Sequence, residues 1–420
     1  MQYYTRISNN NMEQILSADK TPAEIIAFLE EGALYRSFAD VLRAAYPGDD
    51  LGERLKENLL KDPETKEKSL NKSIQNWLNG SNMPQNREQL FKICFALQLT
   101  EDASNKVLAR ASDTGIHYRN PKELVYAYSL RMKLTYQEAC LLNERMEKIY
   151  GPVVEKVAAE RNCQWQEKEK NFREQRKKRM NELRKKKEKY TLYDSYVASF
   201  QDDEKTNFFT QGMKNVFSGI KNERELEEFF KENSKELGMI HESAYEKFWK
   251  LLINLEEPEV FDEDELDDSR YSIERVAETY FRMHVPNSRN VRDYSYLQKT
   301  IKKNWPGASE LQKMKTRKTD VSRKAILLLF MITEDFMYST DLEDASEDLG
   351  FFDGTEEDPF DELEVMISRI DQFLVMYGMN QLDPGNPFDC LFLYALAAQY
   401  KQDFISDNFS EALGILFRDV

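Results

Sequence analysis

Apolar side chains recur along this chain at the three-to-four-residue spacing of amphipathic helices. The pattern predicts short helices over 22–31, 35–46, 50–60, 70–79, 85–97, 101–111 and 121–130, with another starting near Thr135. Thr21-Pro22 and Asp62-Pro63 mark boundaries, because proline suits a first helical turn and breaks later ones. Gly32, Gly48 and Gly80 follow periodic stretches, as helix-ending glycines do. From about Tyr136 to Tyr190 a single long helix is expected, interrupted at most near Gly151-Pro152. Apolar segments at 325–337, 363–377 and 389–399 read as the buried helices of a bundle. Before the last of these, Asn386 is the expected cap, Pro387 the first-turn residue and Asp389 a favourable partner of the helix dipole.

Composition agrees with that pattern. The chain has 420 residues, of which 41% are apolar and 32% charged, with 15 Gly and 12 Pro. That length suits two to three domains, and so little punctuation does not suit a many-turned β architecture. The expected fold is all-α, in three zones. Residues 1–150 form a helical domain, 151–190 a long basic helical connector, and 191–420 an acidic helical domain.

Charge divides along the same zones. The whole chain carries a net −16, which by itself repels phosphate. Residues 161–190, however, hold thirteen Lys or Arg against five Glu. With few apolar positions there, a sustained coiled-coil heptad is not supported. One reading is a solvated, salt-bridged spacer. The other is a basic arm, with Arg176, Lys177, Lys178, Arg179, Arg184, Lys185, Lys186 and Lys187 meeting nucleic acid or an acidic partner, this chain's own acidic half included. Residues 256–268 contain nine carboxylates, and Asp341 to Glu364 twelve, with Phe351, Phe352 and Phe360 interspersed. These read as solvated loops or as an aromatic–acidic docking segment.

The rare residues argue against catalysis. Cys94, Cys140, Cys163 and Cys390 have neither metal-site nor disulfide-framework spacing, so reduced thiols are expected. His117, His241 and His284 are far apart in sequence. The sequence contains no H-E-x-x-H, no phosphate-binding glycine loop, no nucleophile elbow and no calcium-loop spacing. No enzyme, cofactor or metal is expected. An enzyme would require His241 or His284 to meet carboxylates in a cleft. Apolar runs such as Ala325 to Ile332 are far short of a membrane span, and the first residues lack a signal-peptide core. A cytoplasmic protein without membrane contact is the expectation.

One stretch has the chemistry of a reader. On the predicted 70–79 helix, with Ser69 as expected cap, Leu70, Ile74, Trp77 and Leu78 form an apolar stripe. Lys72, Gln75, Asn76 and Asn79 fall at i, i+3, i+4 and i+7 on the opposite face. An ammonium and three amides carry the donors and acceptors that contact base edges and phosphates. The run Ile74-Gln75-Asn76-Trp77-Leu78-Asn79-Gly80, followed by Pro84, Arg87, Leu90, Ile93 and Ala96-Leu97-Gln98-Leu99-Thr100, resembles the second half of an XRE-type, phage-repressor-like helix-turn-helix domain. Residues 116–139 resemble the helical extension of a Gram-positive subset of such proteins. Together the likeness spans roughly 69–140. Two departures stand out: Gln98 replaces a family glycine, and a polar stretch over 61–68 replaces the tight turn that sets the recognition helix in the groove.

The resemblance implies that Lys72, Gln75, Asn76 and Asn79 contact the groove, with Lys66, Lys68 and Arg87 on phosphates. The expected function is a bacterial DNA-binding transcription regulator or adaptor. Its partners would be duplex DNA, a second copy of the chain, and a protein held by the acidic half. The alternative is an interaction or scaffold protein whose helix-turn-helix-like domain binds no DNA.

Overall fold

In the computed structural model, eighteen helices and no strands form the described part of the chain. The described residues are 6–16, 20–32, 37–62, 65–84, 86–112, 114–186, 207–238, 242–256, 283–286, 293–303, 305–339, 359–376, 379–398 and 405–420. The all-α expectation is therefore met. Most of the two acidic runs, including Phe351 and Phe352, and His241 and Lys187 lie outside the described residues.

Local capping explains where many helices begin. Thr21 and Glu24 form a reciprocal box at the start of α2 (Pro22–Ala27), which follows α1 (Arg6–Leu16) and continues into a π turn to Gly32. Ser37 and Asp40 do the same for α3 (Phe38–Ala45). The next helices are α4 (Leu51–Leu59), α5 (Glu67–Leu78), α6 (Arg87–Ala96), α7 (Glu101–Ser112) and α8 (Pro121–Arg131). Asn86 caps α6, and Asn120 with Pro121 starts α8. Thr135 and Glu138 exchange hydrogen bonds of 2.7 and 3.2 Å at the start of α9 (Tyr136–Lys186). This helix runs 51 residues and continues through Pro152. Each such cap satisfies amides that the first turn leaves without a helical partner.

Two hydrophobic cores organise the molecule, and their filling cuts across the sequence divisions at 150 and 190. The first gathers α3 to α8, the start of α9, and two later helices, α10 (Asn207–Ser218) and α11 (Glu223–Asn233). Phe217, Phe229 and Phe230 add their rings to it, with Phe217 meeting Tyr118 edge-on at 6.1 Å. Arg131 at the end of α8 locks α10 in place by donating to the carbonyls of Phe217, Ser218 and Ile220.

The second core is built from α12 (Glu242–Glu256), α13 (Tyr296–Lys302), α14 (Ala308–Lys315), α15 (Arg323–Ser339), α16 (Pro359–Met376), α17 (Pro387–Ala398) and α18 (Ile405–Leu416). Ile15, Ile25, Ile26 and Leu29 from the N-terminal end are buried in it. α17 lies at its centre, with Leu391, Phe392 and Leu393 fully buried. Asn386 accepts the Phe388 amide at 2.9 Å, as expected for its cap. Asp389 does more than favour the helix dipole, because it forms a buried two-pronged ion pair with Arg323 at 2.6 and 2.9 Å.

α9 joins the two cores. Ala139, Leu142 and Met146 pack in the first, and Trp165 in the second. A helix anchored in one core by its first turns and in the other by Trp165 near its middle differs from the solvated spacer that its charge suggested.

Candidate nucleic-acid interface

Helices α3 to α7 make a five-helix bundle, in which α5 packs on α3 and α4. Leu70, Ile74 and Trp77 are its buried stripe, and the Trp77 ring meets Phe38 edge-on at 6.5 Å. The chain folds back between α4 and α5. Gly52 lies against Leu78, while Lys56 at the other end of α4 pairs with Glu67 at 3.0 Å. Arg43 of α3 donates to the Leu78 carbonyl at 2.9 Å and satisfies an orphan group of the last turn. Gly80 then turns the chain with a φ of +73°, where a Cβ would sit 3.3 Å from the Ser37 Cβ. Left-handed backbone and a close neighbour together account for glycine there.

The expected reading face is presented outward. Lys72 and Gln75 are exposed and Asn76 is half-buried on α5. Lys66 and Lys68 flank the start of the helix and are exposed as well. Lys66, rather than Ser69, is the residue before the first turn, so α5 begins about a turn earlier than expected. Ser69 lies exposed inside it. Asn79 is exposed, but its Oδ1 accepts the Ser81 amide and hydroxyl at 3.0 and 2.6 Å. Its carbonyl oxygen therefore shapes the helix stop and leaves only its amide nitrogen to face outward.

Arg87 differs from its expected place at a phosphate. Its guanidinium turns inward, pairing with Glu123 at 2.6 and 2.8 Å and donating to Ser112, Thr114 and the Gly115 carbonyl. Glu123 is 8% exposed in its side chain, so the pair is a structural tie between α6, the end of α7 and α8. Next to it, Glu88 accepts hydrogen bonds from Tyr126, Tyr136 and Lys122 at 2.6, 2.7 and 2.8 Å. Burial raises the Glu88 pKa, but these three donors outweigh it and hold the carboxyl below its ordinary value.

The basic part of α9 is divided. Arg176 is buried, with its guanidinium over the Phe172 ring. Arg179 is half-buried, whereas Lys177, Lys178 and Lys185 are exposed. The side chains of Arg184 and Lys186 lie outside the described residues. Trp165 is held between the Lys168 ammonium at 4.5 Å and the Arg317 guanidinium at 4.7 Å.

Acidic groups also border this bundle. Asp49, Asp50 and Glu53 are exposed at the start of α4. The connector from α4 to α5 spans residues 60–66, longer than a tight turn. Among the described residues no group of His, Cys, Asp and Glu could hold a metal ion. His117 faces Thr114 at 3.2 Å, and His284 lies exposed beside Gly414. Cys94 is buried, and burial pushes its thiol up to about 12, far from a reactive thiolate.

A further group escaped the sequence reading. Residues 299–324 carry nine Lys or Arg against two acids within the acidic half. Several of these cations turn inward onto carbonyls or carboxylates: Lys302 onto Pro286, Lys303 onto Pro84 and Ala111, Lys324 onto three carbonyls, and Arg323 onto Asp389. The local excess of charge was the available signal. Among the described residues no helix is long and apolar enough to cross a membrane. Comparison with family models, curated proteins and solved structures finds no match to this chain.

Proposed function

We propose that this chain is a bacterial DNA-binding regulator or adaptor, acting in the cytoplasm, which contacts duplex DNA through α5 and a protein partner through its second core. The observation that carries this reading is the outward face of α5. Lys72 and Gln75 stand exposed on a helix whose opposite stripe is buried in a five-helix bundle. Lys66 and Lys68 extend the cationic edge at its start. In this reading Gln75 and Asn76 contact base edges, Lys66, Lys68 and Lys72 contact phosphate, and the exposed lysines of α9 add affinity without sequence preference. One helix of this length reads few base pairs, so two copies acting together belong to the proposal.

A salt titration against a pool of random duplex DNA tests it. Binding at low salt should weaken steeply as salt rises, because neutralised phosphates release counterions. Replacing Lys72, Gln75 and Asn76 together by alanine should reduce affinity for this pool roughly tenfold, chiefly through the lost Lys72 phosphate contact. No binding at low salt, or equal binding by the triple variant, removes the reading.

The acids at the start of α4 favour a second reading, in which the bundle is a protein-interaction module that binds no DNA. Asp49, Asp50 and Glu53 sit where a helix-turn-helix needs to approach phosphate. Their replacement by Asn, Asn and Gln separates the two. Under the first reading it strengthens DNA binding, and under the second it changes nothing.

A further inference from the structure

The end of α7 receives its capping groups from the other core. A helix leaves its last carbonyls without backbone partners, and donors or cations placed there stabilise it. For α7 two such donors come from far along the chain. Asn380 donates its side-chain amide to the Ala109 carbonyl at 2.7 Å. Lys303 donates its ammonium to the Ala111 carbonyl at 2.8 Å and to the Pro84 carbonyl at 3.3 Å. Pro84 belongs to the connector that follows α5. One ammonium thus ties the end of α7 to the segment leaving the proposed reading helix.

Both donors are held by adjacent residues at the start of α15. Arg323 donates to the backbone carbonyls of Asn380 and Gln381 at 2.8 and 3.1 Å while pairing with Asp389. Lys324 donates to the carbonyls of Thr300, Ile301 and Lys303 at 3.0, 2.9 and 2.6 Å. Asp389 also accepts the Asp383 amide, and Asp371 accepts the Leu382 amide. The segment 379–383 and the end of α13 therefore have their backbones set by the buried charges of the second core. Their side chains reach the first.

We infer that Lys303 and Asn380 form a latch through which the second core controls how firmly α7 and segment 81–84 are held. An event that shifts the start of α15, where Arg323 holds segment 379–383 and Lys324 holds the end of α13, withdraws both caps at once. Because coupling between two sites is reciprocal, loosening α7 must also loosen segment 379–383. The inference does not require that α5 meets DNA.

Hydrogen exchange on the full chain tests it without any ligand. In the double variant Lys303→Met with Asn380→Ala, amides at the end of α7, in 114–117 and in 81–83 should exchange roughly tenfold faster, the effect of losing about one to two capping bonds. Amides within α17 should keep their protection. From the other side, Ala109→Gly should speed exchange at Leu382 and Asp383, although the change lies in the first core. If either set of changes stays within the core that carries the substitution, the cores are independent and the latch is overturned. The two arms alter different cores, so a folding failure in one leaves the other decisive.

Discussion

Gln98 shows how much a single residue can report. The expected repressor-like resemblance would put a glycine at its position, and the structure places Gln98 in the left-handed region with a φ of 50°. A side chain there costs about 1–2 kcal/mol relative to ordinary backbone. Arg54 offsets part of that cost, donating to the Gln98 Oε1 at 2.8 Å. Gln98→Gly should therefore stabilise the chain by up to about 1 kcal/mol in urea or thermal unfolding, after the lost bond and the freer unfolded chain are counted. Asp371 makes the opposite case. Burial is the main cause that pushes its carboxyl up to about 6, against the Leu382 amide and Arg323, which lower it. The folded chain thus keeps this proton in a pH range where the unfolded chain has released it. Stability from this group falls as pH rises from about 4 to about 6, then stays level. Asp371→Asn keeps an oxygen for the Leu382 amide and removes the charge. Relative to the native chain it should gain on the order of 2–3 kcal/mol by pH 7, and nothing below pH 4, when unfolding is followed across that range.

Elements of the first zone were legible where a periodic stripe met clear punctuation, whereas α11 and α13 escaped although Asn222 and Ser295 cap them. The helices at 51–59, 101–112 and 121–131 fall within one residue of their expected limits, because Gly, Pro and Asn punctuate them. α5 escaped in part: its start is set by tertiary packing and by the Lys56–Glu67 pair, with no side-chain cap to announce it. The length of α9 was readable, but its role was not. Sparse apolar positions look like a spacer until Tyr245 and Trp249 close on Trp165 at 5.3 and 6.4 Å. Trp165 is only 6% exposed despite its charged neighbours. Trp165→Ala should cost about 3–5 kcal/mol, as large-to-small changes in a core do. It should also open the lysine-rich part of α9 to limited trypsin digestion while leaving the first core protected. Equal digestion of both forms would show that this contact does not hold the helix.

At the scale of the whole molecule, chain order and spatial order part company. The N-terminal helices α1 and α2 pack in the second core, and α10 and α11 complete the first. Tyr394 donates to the Lys20 carbonyl, and Asn11 to the Pro384 carbonyl, across more than 370 residues. Composition varies along the chain without revealing such returns, since an apolar stripe states that it must be covered and not by which partner. Net charge had the same limit. In the basic segment 299–324, Lys302, Lys303, Arg323 and Lys324 serve as internal donors to carbonyls and to Asp389, which net charge does not reveal.

The sequence by itself determined the helical class, most helix limits in the first 130 residues, and the amide-bearing face of α5. These follow from local forces: side-chain periodicity, caps and left-handed turns act within a few residues. Only the tertiary structure decided that Arg87 turns inward, that α9 spans two cores, and that Lys303 and Asn380 end α7. Those outcomes depend on which donors meet which unsatisfied carbonyls and carboxylates once distant segments pack, because a buried polar group must find a partner wherever the fold brings one.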